Sequence, residues 1–164
     1  MDESERTQSA DLLAIRALCE RYAQAVDAGD ASSFVSVFKP DGHLTSNATG
    51  RVTHYSGHEQ LAKIVAGARS VAPRTMHFIG NHLAEIDGNV ATGVTYCMSN
   101  HLCDDRSNIV MMVRYLDRYE RSQGEWLIAQ RDLLVDWTET RQADEHINLG
   151  RNLEAPERRG DSAN

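Results

Sequence analysis

Little in this chain points to staples, membrane spans or phosphate cradles. Only three cysteines, Cys19, Cys97 and Cys103, occur among its 164 residues. Three cannot all pair within one chain, and their spacing matches neither a zinc framework nor CxxC. They read as buried or half-buried thiols. No apolar run approaches the ~20 residues that cross a bilayer. The opening MDESERTQSA is too acidic and polar for a signal peptide. The chain is therefore expected to be soluble and cytoplasmic, with no membrane partner. Positive charge is scarce as well: 17 Lys and Arg stand against 24 Asp and Glu, a net charge of −7. Phosphate contacts need a basic surface, so no nucleic-acid partner is expected. The absence of a glycine-rich phosphate loop argues against a nucleotide cofactor. His54 and His58 stand four apart without forming HExxH, and His82 and His101 have no ligand-spaced partner. Neither a metal nor a cofactor is expected.

What remains is globular. Hydrophobic residues make up 41% of the chain, which excludes a disordered polymer. The length suits one domain burying roughly 70% of its unfolded surface. Residues 1–9 are polar and expected to fray. From Ala10, residues Leu12, Leu13, Ile15, Leu18, Cys19, Tyr22, Ala23 and Val26 recur at helical spacing, and Gly29 supplies a left-handed cap. Asp30 is a plausible N-cap for a short helix from Ala31 to Phe38. Pro40-Asp41-Gly42 breaks the chain. Two short strands, Gly42 to Ser46 and Arg51 to Tyr55, flank a turn. A third helix opens at Gly57, with Leu61, Ile64, Val65 and Ala68 inside, and stops at Pro73.

The rest is strand-rich: Thr75 to Ile86, Val90 to Leu102, Ile109 to Arg121, and Trp126 to about Trp137. The turns between them are Asp87-Gly88-Asn89, residues 103–107 and Gln123-Gly124. Strands this long suit a strongly curved sheet. The expected organisation is a domain over residues 10–138 and a polar tail over 139–164. The fold class is α+β: a cone with a curved antiparallel or mixed sheet and three helices from the N-terminal half enclosing one pocket.

This order, with IRALCERYAQAVDAGDASSFVSVFKPDG, YSGHEQLAKIV, RTMHFIGNHLAEIDGNVATGVTYCMSNH and RYLDRYERSQGEWLIAQRD, resembles the SnoaL-like family of the nuclear-transport-factor-2-like (NTF2-like) superfamily. The resemblance covers about residues 10–137. One subset of that family comprises bile-acid 7α-dehydratase, scytalone dehydratase and hexachlorocyclohexane dehydrochlorinase. It uses an Asp at the end of the first long helix and a His early in the strand after the third helix. Asp27 and His77 match those positions. Tyr22 matches the tyrosine of the bile-acid dehydratase, and Arg131 matches a basic residue that follows the Trp of the last strand. The resemblance also implies a homo-oligomer, a dimer or trimer.

The residues themselves allow this chemistry. A carboxylate at a helix C-terminus is disfavoured by the helix dipole and needs a partner. An Asp27–His77 pair would fix the imidazole tautomer and make its other nitrogen more basic. Alternatively, Asp27 caps the turn at Gly29 and His77 is an ordinary strand histidine. Tyr22 lies five residues before Asp27, about 140° away around the helix, so both face one pocket only if it wraps the helix end. Its hydroxyl can donate to a carbonyl or leaving oxygen, or simply sit at the rim of the core. Arg131 alternates with apolar neighbours and must find an anion or a rim: it can bind a substrate oxygen, hold Asp27 or form a structural salt bridge. Tyr55, Phe78, Tyr96 and Tyr115 are candidate substrate-binding residues, and equally good sheet packing. Met98, Met111 and Met112 read as core filler.

The expected function is a cofactor-independent lyase. It performs a dehydratase-type elimination on a small, largely apolar oxygenated metabolite of polycyclic or aromatic origin. Asp27, His77, Tyr22 and Arg131 are its catalytic candidates. An isomerase or cyclase on the same scaffold, a non-catalytic ligand-binding module and the small subunit of a ring-hydroxylating dioxygenase are the alternatives.

Overall fold

The computed structural model describes residues 2–144. Helix α1 spans Glu3–Ala28. Asp2 caps it by accepting from the Glu5 amide at 2.8 Å, while the Glu5 carboxylate accepts from the Asp2 amide at 2.9 Å. This capping box satisfies two N-terminal donors and starts the helix well before Ala10, so residues 3–9, expected to fray, are helical. At its other end Gly29 takes φ 71. Its amide and that of Asp30 donate to Val26 O and Ala25 O, at 3.0 and 2.9 Å. Asp30 then caps α2 (Ala31–Ser36) by accepting from the Ser33 amide and hydroxyl.

Strand β1 runs Phe38–Ser46 and pairs with β2 (Thr53–Ser56). Pro40-Asp41-Gly42, expected to break the chain, is absorbed inside β1 as a register shift between Phe38 and His43. A bulge tolerates proline where a regular ladder does not. Helix α3 (Gly57–Val71) follows, then β3 (Arg74–Asp87), β4 (Val90–Leu102), β5 (Ser107–Ser122) and β6 (Glu125–Gln142). Strand β6 reaches beyond Trp137, because residues 138–142 pair with residues 107–111 of β5. The first part of the expected polar tail is therefore strand, and residues 145–164 lie outside the described residues.

The six strands form one curved, unclosed sheet in the order β2-β1-β6-β5-β4-β3. Every neighbouring pair is antiparallel except β1 and β6. The sheet is thus mixed, and with three helices the fold is α+β. Helix α1 packs on β3 and β6, and α3 on β1. Between helices and sheet lies the core, built on Ile15, Leu18, Tyr22, Phe34, Phe38, Leu61, Tyr115, Tyr119 and Ile128. Among the described residues no helix is long and apolar enough to cross a membrane. Cys19 and Cys97 are buried and Cys103 is partly so.

Candidate active site

The end of α1 sets the first site residue. Arg69 of α3 donates to Asp27 O at 2.8 Å and to Pro73 O at 3.3 Å. A cation there opposes the partial negative charge of the helix C-terminus. It also leaves no room at Gly29, where a Cβ would lie 2.4 Å from Arg69 Nε. The Asp27 carboxylate then receives three bonds from β3. Thr75 Oγ1 donates to Oδ1 at 2.8 Å, the His77 amide to Oδ2 at 2.9 Å, and His77 Nδ1 meets Oδ1 at 2.7 Å. The His77 side chain is 8% exposed and that of Asp27 26%. Burial pushes the Asp27 carboxyl up, but the bonds from His77 and Thr75 outweigh it and hold the group below its ordinary value. With Asp27 ionised, Nδ1 carries the shared proton, and Nε2 is the nitrogen left for other partners.

His77 lines a cavity of about 320 Å³. Its deep end is made by Tyr22, Val26, Leu44, Ser99, Val113 and Tyr115, all buried. Asp27 does not line it; it faces a separate groove with Arg69 and Thr75, and backs His77 from behind. Tyr22 and Asp27 therefore do not share one pocket wall, in keeping with their angular separation on α1. Of the four substrate-binding candidates, Tyr55 and Tyr115 line the cavity. Phe78 and Tyr96 do not: they are 66% and 51% exposed on the outer face of the sheet. Side chains alternate along a strand, so the neighbours of inward-facing His77 and Cys97 must face out. Met111 lines the cavity, whereas Met98 is exposed on the outer face rather than in the core.

Arg131 is fully buried and lies behind the cavity floor, absent from its lining. Its Nε and Nη2 donate to the Asp117 carboxylate at 2.8 and 2.7 Å. Nη2 also approaches Cys19 Sγ at 3.4 Å. The guanidinium sits 4.3 Å from the Tyr22 ring centre and 4.2 Å from that of Tyr115. Of the roles open to Arg131, the structure supplies the salt bridge, made with Asp117 rather than with Asp27. Burial opposes its charge, but Asp117 overrides that and holds it well above its ordinary value. Burial raises both tyrosines, Tyr22 to about 12, so both hydroxyls stay protonated donors at neutral pH.

Ser99 and His101, polar cavity residues beside His77, were not singled out as site candidates from sequence. Their hydroxyl and Nε2 are 3.2 Å apart. The His101 ring stands edge-on to His77, with centres 5.7 Å apart. Burial, then repulsion from His77, pushes His101 down to about 4, so it is neutral at pH 7. The signal was the shared parity of Ser99 and His101, but only the pairing of Ser99 with His77 and His101 with Thr75 reveals that they meet the dyad. His54, His58 and His43 lie elsewhere, bonded to Thr45, Phe38 O and Ser56. Among the described residues no group of three or more His, Cys, Asp or Glu could hold a metal ion.

A curved mixed sheet with helices on one side and a cavity between them is the NTF2-like fold. The chain belongs to the SnoaL-like domain family, which matches residues 7–132. It is similar to a Mycobacterium tuberculosis protein of unknown function, at 26% identity and TM-score 0.73 over 83% of this chain and 77% of that one. A scytalone-dehydratase-like protein from Novosphingobium aromaticivorans aligns at 18% identity and TM-score 0.74, over 90% of this chain and 98% of that one. A type 3 hexachlorocyclohexane dehydrochlorinase from Novosphingobium barchaimii aligns at 17% identity and TM-score 0.75, over 89% and 99%. At such identities the two Novosphingobium structures establish the fold. No functionally curated protein matches the chain significantly.

Proposed function

We propose that the protein is a lyase that eliminates water from a small, largely apolar hydroxy-carbonyl compound by side-chain acid–base chemistry. One observation carries the reading: an imidazole at the wall of a largely apolar cavity is bonded through Nδ1 to a carboxylate 2.7 Å away. In this reading Nε2 of His77 removes a proton from the carbon next to the carbonyl. The C–H electrons form the C=C bond as the C–O bond breaks. The proton held by His77 then passes to the departing hydroxide, releasing water. Proton transfer by such a base contributes typically about 10²–10⁴ in rate, and Asp27 stabilises the transient imidazolium. Tyr22 donates its hydroxyl to the carbonyl oxygen as negative charge develops there, with the Arg131 charge close behind the ring. His101, neutral beside His77, offers a second polar contact to the substrate.

The test is a panel of bicyclic and aromatic β-hydroxy ketones followed by mass spectrometry. Loss of one water, abolished in His77→Ala, is expected. Full turnover in His77→Ala would falsify the mechanism. Deuterium uptake from solvent without loss of water assigns the same dyad to an isomerase instead.

The working form is a homo-oligomer. The helices cover the concave face of the sheet, and the convex face carries Phe78, Tyr96, Met98 and Trp137 exposed to solvent. Phe78, Tyr96, Met98, Met112 and Trp137 line one depression there. Apolar patches of that kind mark association surfaces.

A further inference from the structure

One glycine in the cavity wall has no structural reason to be glycine. Helix α3 turns Lys63, Ile64, Gly67, Ala68 and Val71 toward the cavity, a single stripe at helical spacing. Its other stripe, Leu61 and Val65, is buried and does the packing. Gly67 stands inside the helix and is not among the residues with positive φ. Apart from proline, glycine is the poorest helix former, because it loses the most backbone freedom. No neighbour forbids a side chain either: a Cβ built there meets nothing within 4 Å. Because Gly67 is one of the residues that line the cavity, an added side chain would enter the open space beside it.

Its position along the cavity matters. The deep end is buried, whereas Thr49, Lys63, Gly67 and Val71 are exposed. Gly67 therefore sits at the mouth, one turn from Lys63 and one turn from Val71. The chamber, about 320 Å³, is at the small end of the ~300–1,000 Å³ typical of ligand sites.

The geometry points to Gly67 as a specificity-determining residue that sets how long a ligand the cavity admits. Its missing side chain keeps the mouth open. An apolar ligand longer than the chamber seats its ring end against Tyr22 and Tyr115 and passes out beside α3 between Lys63 and Val71. This rests on the cavity being the ligand site, as in the reading above, but not on which reaction occurs there.

Two fluorescent probes separate length from chemistry: 1-naphthol, smaller than the chamber, and 11-(dansylamino)undecanoic acid, a naphthalene on a long alkyl chain whose volume exceeds it. Equilibrium titrations are made on wild type, Gly67→Ala and Gly67→Leu, with thermal melts of each. Gly67→Ala is expected to raise Tm by a few degrees, because the helix gains propensity and no contact is disturbed. Gly67→Leu is expected to weaken the longer probe at least tenfold while leaving the Kd of 1-naphthol within about threefold. The proposal is overturned if Gly67→Leu leaves both probes unchanged, weakens both alike, or if wild type does not bind the longer probe. Should Gly67→Leu fail to fold, Gly67→Ala decides: a selective loss for the longer probe supports the proposal, and no selectivity overturns it. An active His77→Ala enzyme would sink the elimination mechanism and leave these Kd values untouched, so the two failures are distinguishable.

Discussion

Asp27 is held ionised at the one end of a helix that repels anions, and three donors from β3 compensate. Its removal has two separable consequences. In Asp27→Asn one accepting oxygen becomes an NH2 donor, so the side chain no longer fixes the His77 tautomer. The ¹⁵N signals of His77 should change from a single Nδ1–H form to a mixture, and turnover should fall by about 10²–10⁴. The second consequence is pH-dependent stability. The folded-state pKa of Asp27 lies below its unfolded value. Its contribution is therefore complete above the ordinary carboxylate range and is lost as pH falls through the lowered folded value. Urea midpoints of wild type and Asp27→Asn should differ most above the ordinary carboxylate range and converge as the pH falls below it.

Arg131 belongs to the same scale and behaves in the opposite way. Arg131→Met leaves the fully buried Asp117 carboxylate without its partner and should cost about 3–5 kcal/mol in urea unfolding. Arg131→Met combined with Asp117→Leu should recover much of that, because no orphan charge remains. The resemblance singled out Arg131, and alternation put it among inward-facing apolar neighbours. Its partner was not legible, since Asp117 meets it only through the β5–β6 register. Parity could have excluded Phe78 once His77 was placed inward. Tyr96 needed the orientation of β4, which no local signal supplies.

At the scale of elements, the junction between α1 and α2 fixes the dyad. The chain reverses through Gly29 while Arg69 of α3 clamps the carbonyl of Asp27. Gly29→Ala forces an L-residue into the left-handed region and drives a methyl group into Arg69. A loss of at least about 1–2 kcal/mol is expected in chemical denaturation. Turnover should fall too, because Arg69 must move and Asp27 moves with it. The junction itself was legible, as glycine followed by an N-capping aspartate is a strong local signal. The true start of α1 was also written in the sequence, as Asp2 and Glu5 three apart, but the apolar periodicity begins only later. The end of β6 was not legible. Residues 138–142 are polar and become strand only because β5 offers a ladder to complete.

For the whole molecule the open question is what covers the convex face. Sedimentation equilibrium should give a mass that is a multiple of 18.3 kDa. Phe78→Asp with Trp137→Glu should shift it to the monomer, because each substitution sets a charge in the apolar patch. Both side chains are more than half exposed, so folding of the protomer should survive.

The single parallel pairing in the sheet bears on how the molecule comes into being. Strand β1 meets its partner β6 only after every other strand has been made, and Leu44 of the cavity floor lies opposite Arg131 in that ladder. Local hairpins can assemble β1 with β2, and β3 with β4 and β5, early, while the β1–β6 pairing waits for the last strand. Long-range closure of this kind is slow, since loop entropy is lost before contacts return it. The cavity floor around Leu44 is thus expected to form late, after the Asp27–His77 contact between α1 and β3 can already be made. A chain halted before β6 would hold its histidine and aspartate with no chamber for them to serve.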